Sequence, residues 1–181
     1  SVTFSGTVDG DLGNTRDLTI NGGDVTLAGV VGGTQSLKSL KTDASGTAAG
    51  TTTISGGAVT ATTQTYNDAT GIVLGANTTL TGTTLTLNAL AGATFNLTLS
   101  GSGTTKLTGD ITNVGTLLSN NGGTTEFGLT SGSAAVAITT TGTQTYSDNV
   151  VLRQNTTLTG SLTPTISGTT TLNGKTLTLA P

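Results

Sequence analysis

The chain has 181 residues and a net charge of −3, from 6 Lys and Arg against 9 Asp and Glu, with 28 Gly, 2 Pro and no His, Cys, Met or Trp. Without imidazole or thiolate, and with charge on only 8% of positions, most acid–base and thiol chemistry is excluded, and nothing calls for a cofactor or a metal. The acidic balance offers no basic patch to nucleic acid, and no apolar run approaches the ~20 residues of a membrane-spanning helix, so neither nucleic-acid binding nor membrane insertion is expected.

Thr supplies 47 of the residues. Taken along the chain, Thr, Ser or Asn alternates with aliphatic residues in short runs: VTF at 2–4, LTI at 18–20, VTL at 25–27, TIS at 53–55, TLT at 79–81, LTL at 85–87 and FNLTL at 95–99. The same pattern continues with VAI at 136–138, TLT at 157–159, TIS at 165–167 and LTL at 177–179. Alternation at period two, in residues that favour extended backbone, predicts strands with one buried face. Counted generously there are roughly 20 such runs, about 8–9 residues apart and punctuated by Gly, Asn, Asp or Ser; no helical periodicity is present.

Two segments repeat. The stretch TQTYNDATGIVLGANTTLTG at 63–82 returns as TQTYSDNVVLRQNTTLTG at 143–160, with two extra residues near Thr70 and Gly71 in the first copy. Gln64, Tyr66 and Asp68 thus recur as Gln144, Tyr146 and Asp148. An antiparallel sandwich predicts tight hairpins and a core of large residues, whereas a solenoid predicts repeats, corner Gly and Asn, and outward Thr. With only three Phe and two Tyr the core must be thin. The expectation is one all-β domain over 1–181, a right-handed parallel β-helix of about seven coils, each with three short strands and 24–27 residues.

The blocks VTFSGTVDG at 2–10, LTINGGDVTL at 18–27, GTQSLKSL at 33–40, TTISGGAVT at 52–60, TQTYND at 63–68 and NTTLTG at 77–82 resemble the repeat arrays of filamentous-haemagglutinin-like bacterial exoproteins. These are secreted β-solenoids exported by two-partner secretion or as autotransporter passengers. The resemblance implies an extracellular or cell-surface rod used in adhesion, biofilm or matrix structure. Host or matrix glycans are its implied partners.

Candidate sites are few. Asp68 and Asp148 are expected at equivalent corners about three coils and roughly 15 Å apart, accepting bonds from turn amides. That separation is too great for joint action on one bond. The acidic run DGDLGNTRD at 9–17 lacks the ligand spacing of a calcium loop and reads as a surface loop neutralised by Arg16. Tyr66 and Tyr146 read as corner packing, with exposed sugar platforms as the alternative. Asn77, Asn155, Asn21, Asn88 and Asn173 read as corner residues, in left-handed backbone or stacked amide ladders. Thr-x-Thr runs raise ice binding, but are irregular.

Ser1 opens the chain without an initiator Met or a leader, which reads as a processed or excised segment. The first and last runs are strand-like and show no evident cap. Val2, Phe4, Leu177 and Leu179 are therefore the candidates for end-to-end assembly with other copies, by head-to-tail stacking or strand donation. The functional expectation is a non-enzymatic structural or adhesive protein, a surface adhesin or biofilm and matrix scaffold, with a subunit that self-assembles end to end into filaments as its variant. A carbohydrate-binding or carbohydrate-active β-helix is the alternative.

Overall fold

The computed structural model describes residues 1–42, 50–130 and 134–181. Their regular structure is entirely β, and every pairing between named strands is parallel.

The strands wind as a solenoid with three faces. The first turn is β1 (Val2–Phe4), the bridging residue Val8 and β2 (Asp17–Ile20). The second is β3 (Val25–Leu27), the bridging residue Val31 and β4 (Leu37–Thr42). The next three turns pair a short strand with one long enough to cover two faces: β5 (Thr51–Ile54) with β6 (Ala58–Tyr66), β7 (Gly71–Leu74) with β8 (Thr78–Leu87), and β9 (Leu90–Ala91) with β10 (Leu97–Leu107). Beyond them the long strands divide. The sixth turn is β11 (Ile111–Val114), β12 (Leu117–Asn120) and β13 (Thr124–Phe127), and the seventh is β14 (Val136–Thr140), β15 (Gln144–Tyr146) and β16 (Asn149–Leu152). The eighth is β17 (Thr156–Thr159), β18 (Thr165–Ile166) and β19 (Thr170–Thr171), and β20 (Leu177–Ala180) opens a ninth.

Parallel register places inward residues in columns. On the first face the column runs Val2, Val25, Thr52, Ile72, Leu90, Ile111, Ile138, Leu158, Leu179. The second-face column is Val8, Val31, Val59, Leu80, Leu99, Ser119, Tyr146, Ile166. The third begins Ile20, Thr42, Tyr66, Leu87, Leu107, Phe127, Leu152. Their buried apolar members form one continuous core cluster. Each fully buried Leu or Ile adds on the order of 2 kcal/mol of hydrophobic stabilisation.

The eight steps from Val2 to Leu179 average about 22 residues, and the turn from Ile72 to Leu90 takes only 18. The structure therefore has about eight turns where the spacing of the runs gave seven. The shortest turn is the one in which β8 passes from the second face to the third as a single strand, without a loop between them. A Cβ on Gly56 would strike the carbonyl of Gly29, and a Cβ on Gly29 that of Gly6, so successive turns meet backbone to backbone there.

A second departure concerns Thr. Thr42, Thr52, Thr78, Thr105, Thr125 and Thr156 lie inside. Thr78 and Thr156, matched in the repeat, donate to the carbonyls of Ala76 and Gln154, two residues back, and so enter the core already satisfied.

Candidate functional site

Val2, Phe4, Leu177 and Leu179 all lie on the first face, at opposite ends of the solenoid. Among the described residues β1 pairs with β3 alone and β20 with β17 alone. Val2 is 39% exposed and Leu179 41%, while Phe4 and Leu177 are half-buried against the core. Alternation in VTF and LTL points both pairs inward, where Val2 and Phe4 stack on Val25 and Leu27, and Leu177 and Leu179 on Thr156 and Leu158. The structure does not bring the two pairs together: eight strand steps separate them, roughly 38 Å. Leu162 and Leu172 add exposed apolar surface to the β20 end, as Leu12 does near the β1 end.

The repeat builds a buried polar corner twice. Tyr66, fully buried, donates its hydroxyl to Gln64 Oε1 at 2.9 Å; Gln64 Nε2 donates to the carbonyls of Val59 at 3.1 Å and Thr81 at 2.9 Å. Tyr146 donates to Gln144 Oε1 at 3.0 Å, and Gln144 Nε2 to the carbonyls of Ile138 at 3.1 Å and Thr159 at 2.7 Å. Each Gln ties its own turn to the next. Burial raises both phenols far above their ordinary pKa, and the Asp68 carboxylate adds to the effect at Tyr66. Neither ring can serve as an exposed platform for a sugar. Tyr146 instead meets Phe127 edge to face at 5.4 Å between centroids.

The carboxylates following these tyrosines differ. Asp148 accepts from the amides of Gly122 at 2.9 Å and Gly123 at 3.1 Å and from Ser119 Oγ at 2.9 Å, as expected of a corner Asp. Among the described residues Asp68 accepts hydroxyls alone, from Thr42 at 2.6 Å and Thr52 at 2.8 Å, and its Oδ1 has no partner there.

The two corners are not equivalent in position. Tyr66 sits in the third-face column and Tyr146 in the second. Leu74 is on the first face and its counterpart Leu152 on the third. The repeat therefore spans eleven faces, three turns and two-thirds of another. The expectation of matched corners fails because the motif is local: Gln reaches backbone carbonyls, which every face offers alike.

The remaining candidates resolve into structure. Asp9 accepts from the Thr34 amide and Asp11 from the Thr15 amide, and these bonds hold their carboxyls below the ordinary range. Arg16 lies 2.9 Å from Asp11. Asn77 Oδ1 accepts the Asn96 amide and Asn155 Oδ1 the Thr176 amide, each from the following turn, whereas Asn173 has a left-handed backbone at φ 50°. The Thr-x-Thr runs are divided among faces: 79–81 on the second, 84–86 on the third, 157–159 on the first. Among the described residues no three of Asp, Glu, His or Cys cluster as metal ligands would. A groove of about 200 Å³ follows the corner between the second and third faces, lined by Thr60, Thr62, Thr81, Thr83, Ser102 and Asn121 among others. No titratable side chain lines it, so it supplies hydrogen bonds and no acid or base.

No family model, curated protein or solved structure matches the chain.

Proposed function

We propose that the chain is a load-bearing rod of an extracellular structural or adhesive protein, a surface adhesin or matrix scaffold of the filamentous-haemagglutinin kind, and that it joins other copies end to end. One observation supports this reading: three parallel ladders around one continuous apolar core run the length of the described solenoid, with Val2 and Phe4 in its first strand and Leu177 and Leu179 in its last. A strand edge left open is a template for a further parallel strand. Copies joined in this way make a head-to-tail contact that does not close into a ring, which is a filament.

Negative-stain microscopy of the purified 181-residue polypeptide tests the reading. Fibres with a subunit rise near 40 Å are expected, from about eight turns at ~4.8 Å each. Replacing both Val2 and Phe4 with Asp places unpaired charge in the joint and should leave single rods. Short monodisperse rods from the unaltered polypeptide would sink the reading.

A further inference from the structure

At the corner between the second and third faces three successive turns carry the same short pattern. Thr60-Ala61-Thr62, Thr81-Gly82-Thr83 and Ser100-Gly101-Ser102 each set a small residue between two hydroxyls. Register stacks Thr81 on Thr60, Ser100 on Thr81 and Gly101 on Gly82. The hydroxyls therefore stand in two rows along the solenoid axis, and the small residues between them floor the groove of about 200 Å³. Ser36 below and Asn121 above extend it from the second turn to the sixth, four strand steps or roughly 19 Å.

The side chains of this groove keep their bonding capacity. At other corners Thr108 and Thr141 give their hydroxyl hydrogens to the carbonyls of Leu87 and Val114, one turn below. Among the described residues Ser36, Thr60, Thr81, Thr83 and Ser102 make no side-chain hydrogen bond, and Thr62 only accepts one, from Asn14 Nδ2 at 2.9 Å. Each hydroxyl thus has a hydrogen to donate and at least one lone pair to accept with.

Resting on the adhesive half of the reading above and not on end-to-end growth, we propose that this groove binds a neutral polysaccharide laid along the solenoid axis. Three features select that ligand. No titratable side chain lines the groove, so it has nothing with which to hold a charged chain. β6, β8 and β10 are each paired on both sides, so no strand edge is offered to a peptide, and a lining of Thr, Ser, Gly and Asn gives its side chains no apolar pocket. Donors and acceptors repeating every ~4.8 Å suit a sugar chain, whose hydroxyls also donate and accept and whose extended form advances by close to one strand spacing per residue.

Each sugar then meets one hydroxyl from either row. No aromatic ring lines the groove for a sugar to stack on. Affinity therefore comes from repetition, and it grows with the length of the ligand until the roughly 19 Å are filled.

The test is equilibrium binding of the unaltered polypeptide to oligosaccharides of increasing length: neutral cello-, xylo- and manno-oligosaccharides, and acidic oligogalacturonates. A neutral series should bind with an affinity that rises with length, levels off, and does not respond to salt. Thr81→Val with Thr83→Val keeps the branched shape of two outward residues and removes their hydroxyls, leaving the core intact. It should weaken binding about tenfold, whereas Thr26→Val, outward on the first face, should leave it unchanged. Binding confined to the acidic series would overturn the ligand class. Neutral binding retained in full by the double variant would overturn the site and leave the adhesive reading standing. Failure of every series to bind would remove the proposal together with the adhesive reading beneath it.

Discussion

Tyr66 and Tyr146 lie 80 positions apart and donate the same hydrogen bond to a glutamine two residues before them, yet they stand on different faces of the solenoid. The equivalence is chemical and not positional. It makes the two residues a matched pair of internal probes.

Both phenols are fully buried and hydrogen-bonded as donors, so folding binds their protons more tightly than the unfolded chain does. Folded pKa values above the ordinary 10.0 mean that this contribution is complete below pH 10 and is lost as pH rises beyond it. Each tyrosine then steepens the loss of stability by ~1.4 kcal/mol per pH unit. Ultraviolet titration should show no tyrosinate up to and past pH 10 in the folded protein, followed by a single step coincident with loss of β-sheet circular dichroism. A gradual tyrosinate signal with the sheet intact would contradict the buried placement.

Asp148 and Asp68 should respond unequally to truncation. Asp148→Ala strands the amides of Gly122 and Gly123, which cannot turn toward another acceptor, and should cost about 2–4 kcal/mol. Asp68→Ala frees only the hydroxyls of Thr42 and Thr52, which can rotate, and it removes an oxygen that has no partner. Its cost should be smaller by about 1 kcal/mol or more. Urea denaturation of the two variants decides the order, and a reversed order would show that hydroxyl and amide donors are equally fixed at these corners.

The corner glycines separate by what lies above them. Gly56→Ala drives a methyl into the Gly29 carbonyl and should cost ~1–3 kcal/mol, while a Cβ on Gly6 meets nothing within 4 Å and Gly6→Ala should change stability by no more than ~0.5 kcal/mol. Thermal melts of the pair suffice. Equal melting temperatures would mean that the turns can spread at this corner without penalty.

Much of this architecture is legible in the sequence. The alternation of VTF, LTI and LTL gives the strands and their inward residues, and the repeat of TQTYxD argues for stacking over hairpins. The number of turns is not legible, because a turn can close in as few as 18 residues when one strand spans two faces, and no residue type marks where a face ends. The placement of Thr is equally hidden: Thr125 and Thr124 are adjacent and identical, and only pairing shows that one is buried while the other faces out. Val2, Phe4, Leu177 and Leu179 are readable as inward residues of terminal strands.

The corner crossed by β6, β8 and β10 without a break bears on how the rod can be altered. A protease needs slack backbone to thread its cleft, and an inserted peptide needs a loop to enter and leave by. Three successive turns offer neither along this edge, where the chain stays in strand from Ala58 to Tyr66, Thr78 to Leu87 and Leu97 to Leu107. Cleavage, grafted epitopes and new domains are thereby confined to the other two edges over this middle third, and the molecule has a closed side and two that can be edited.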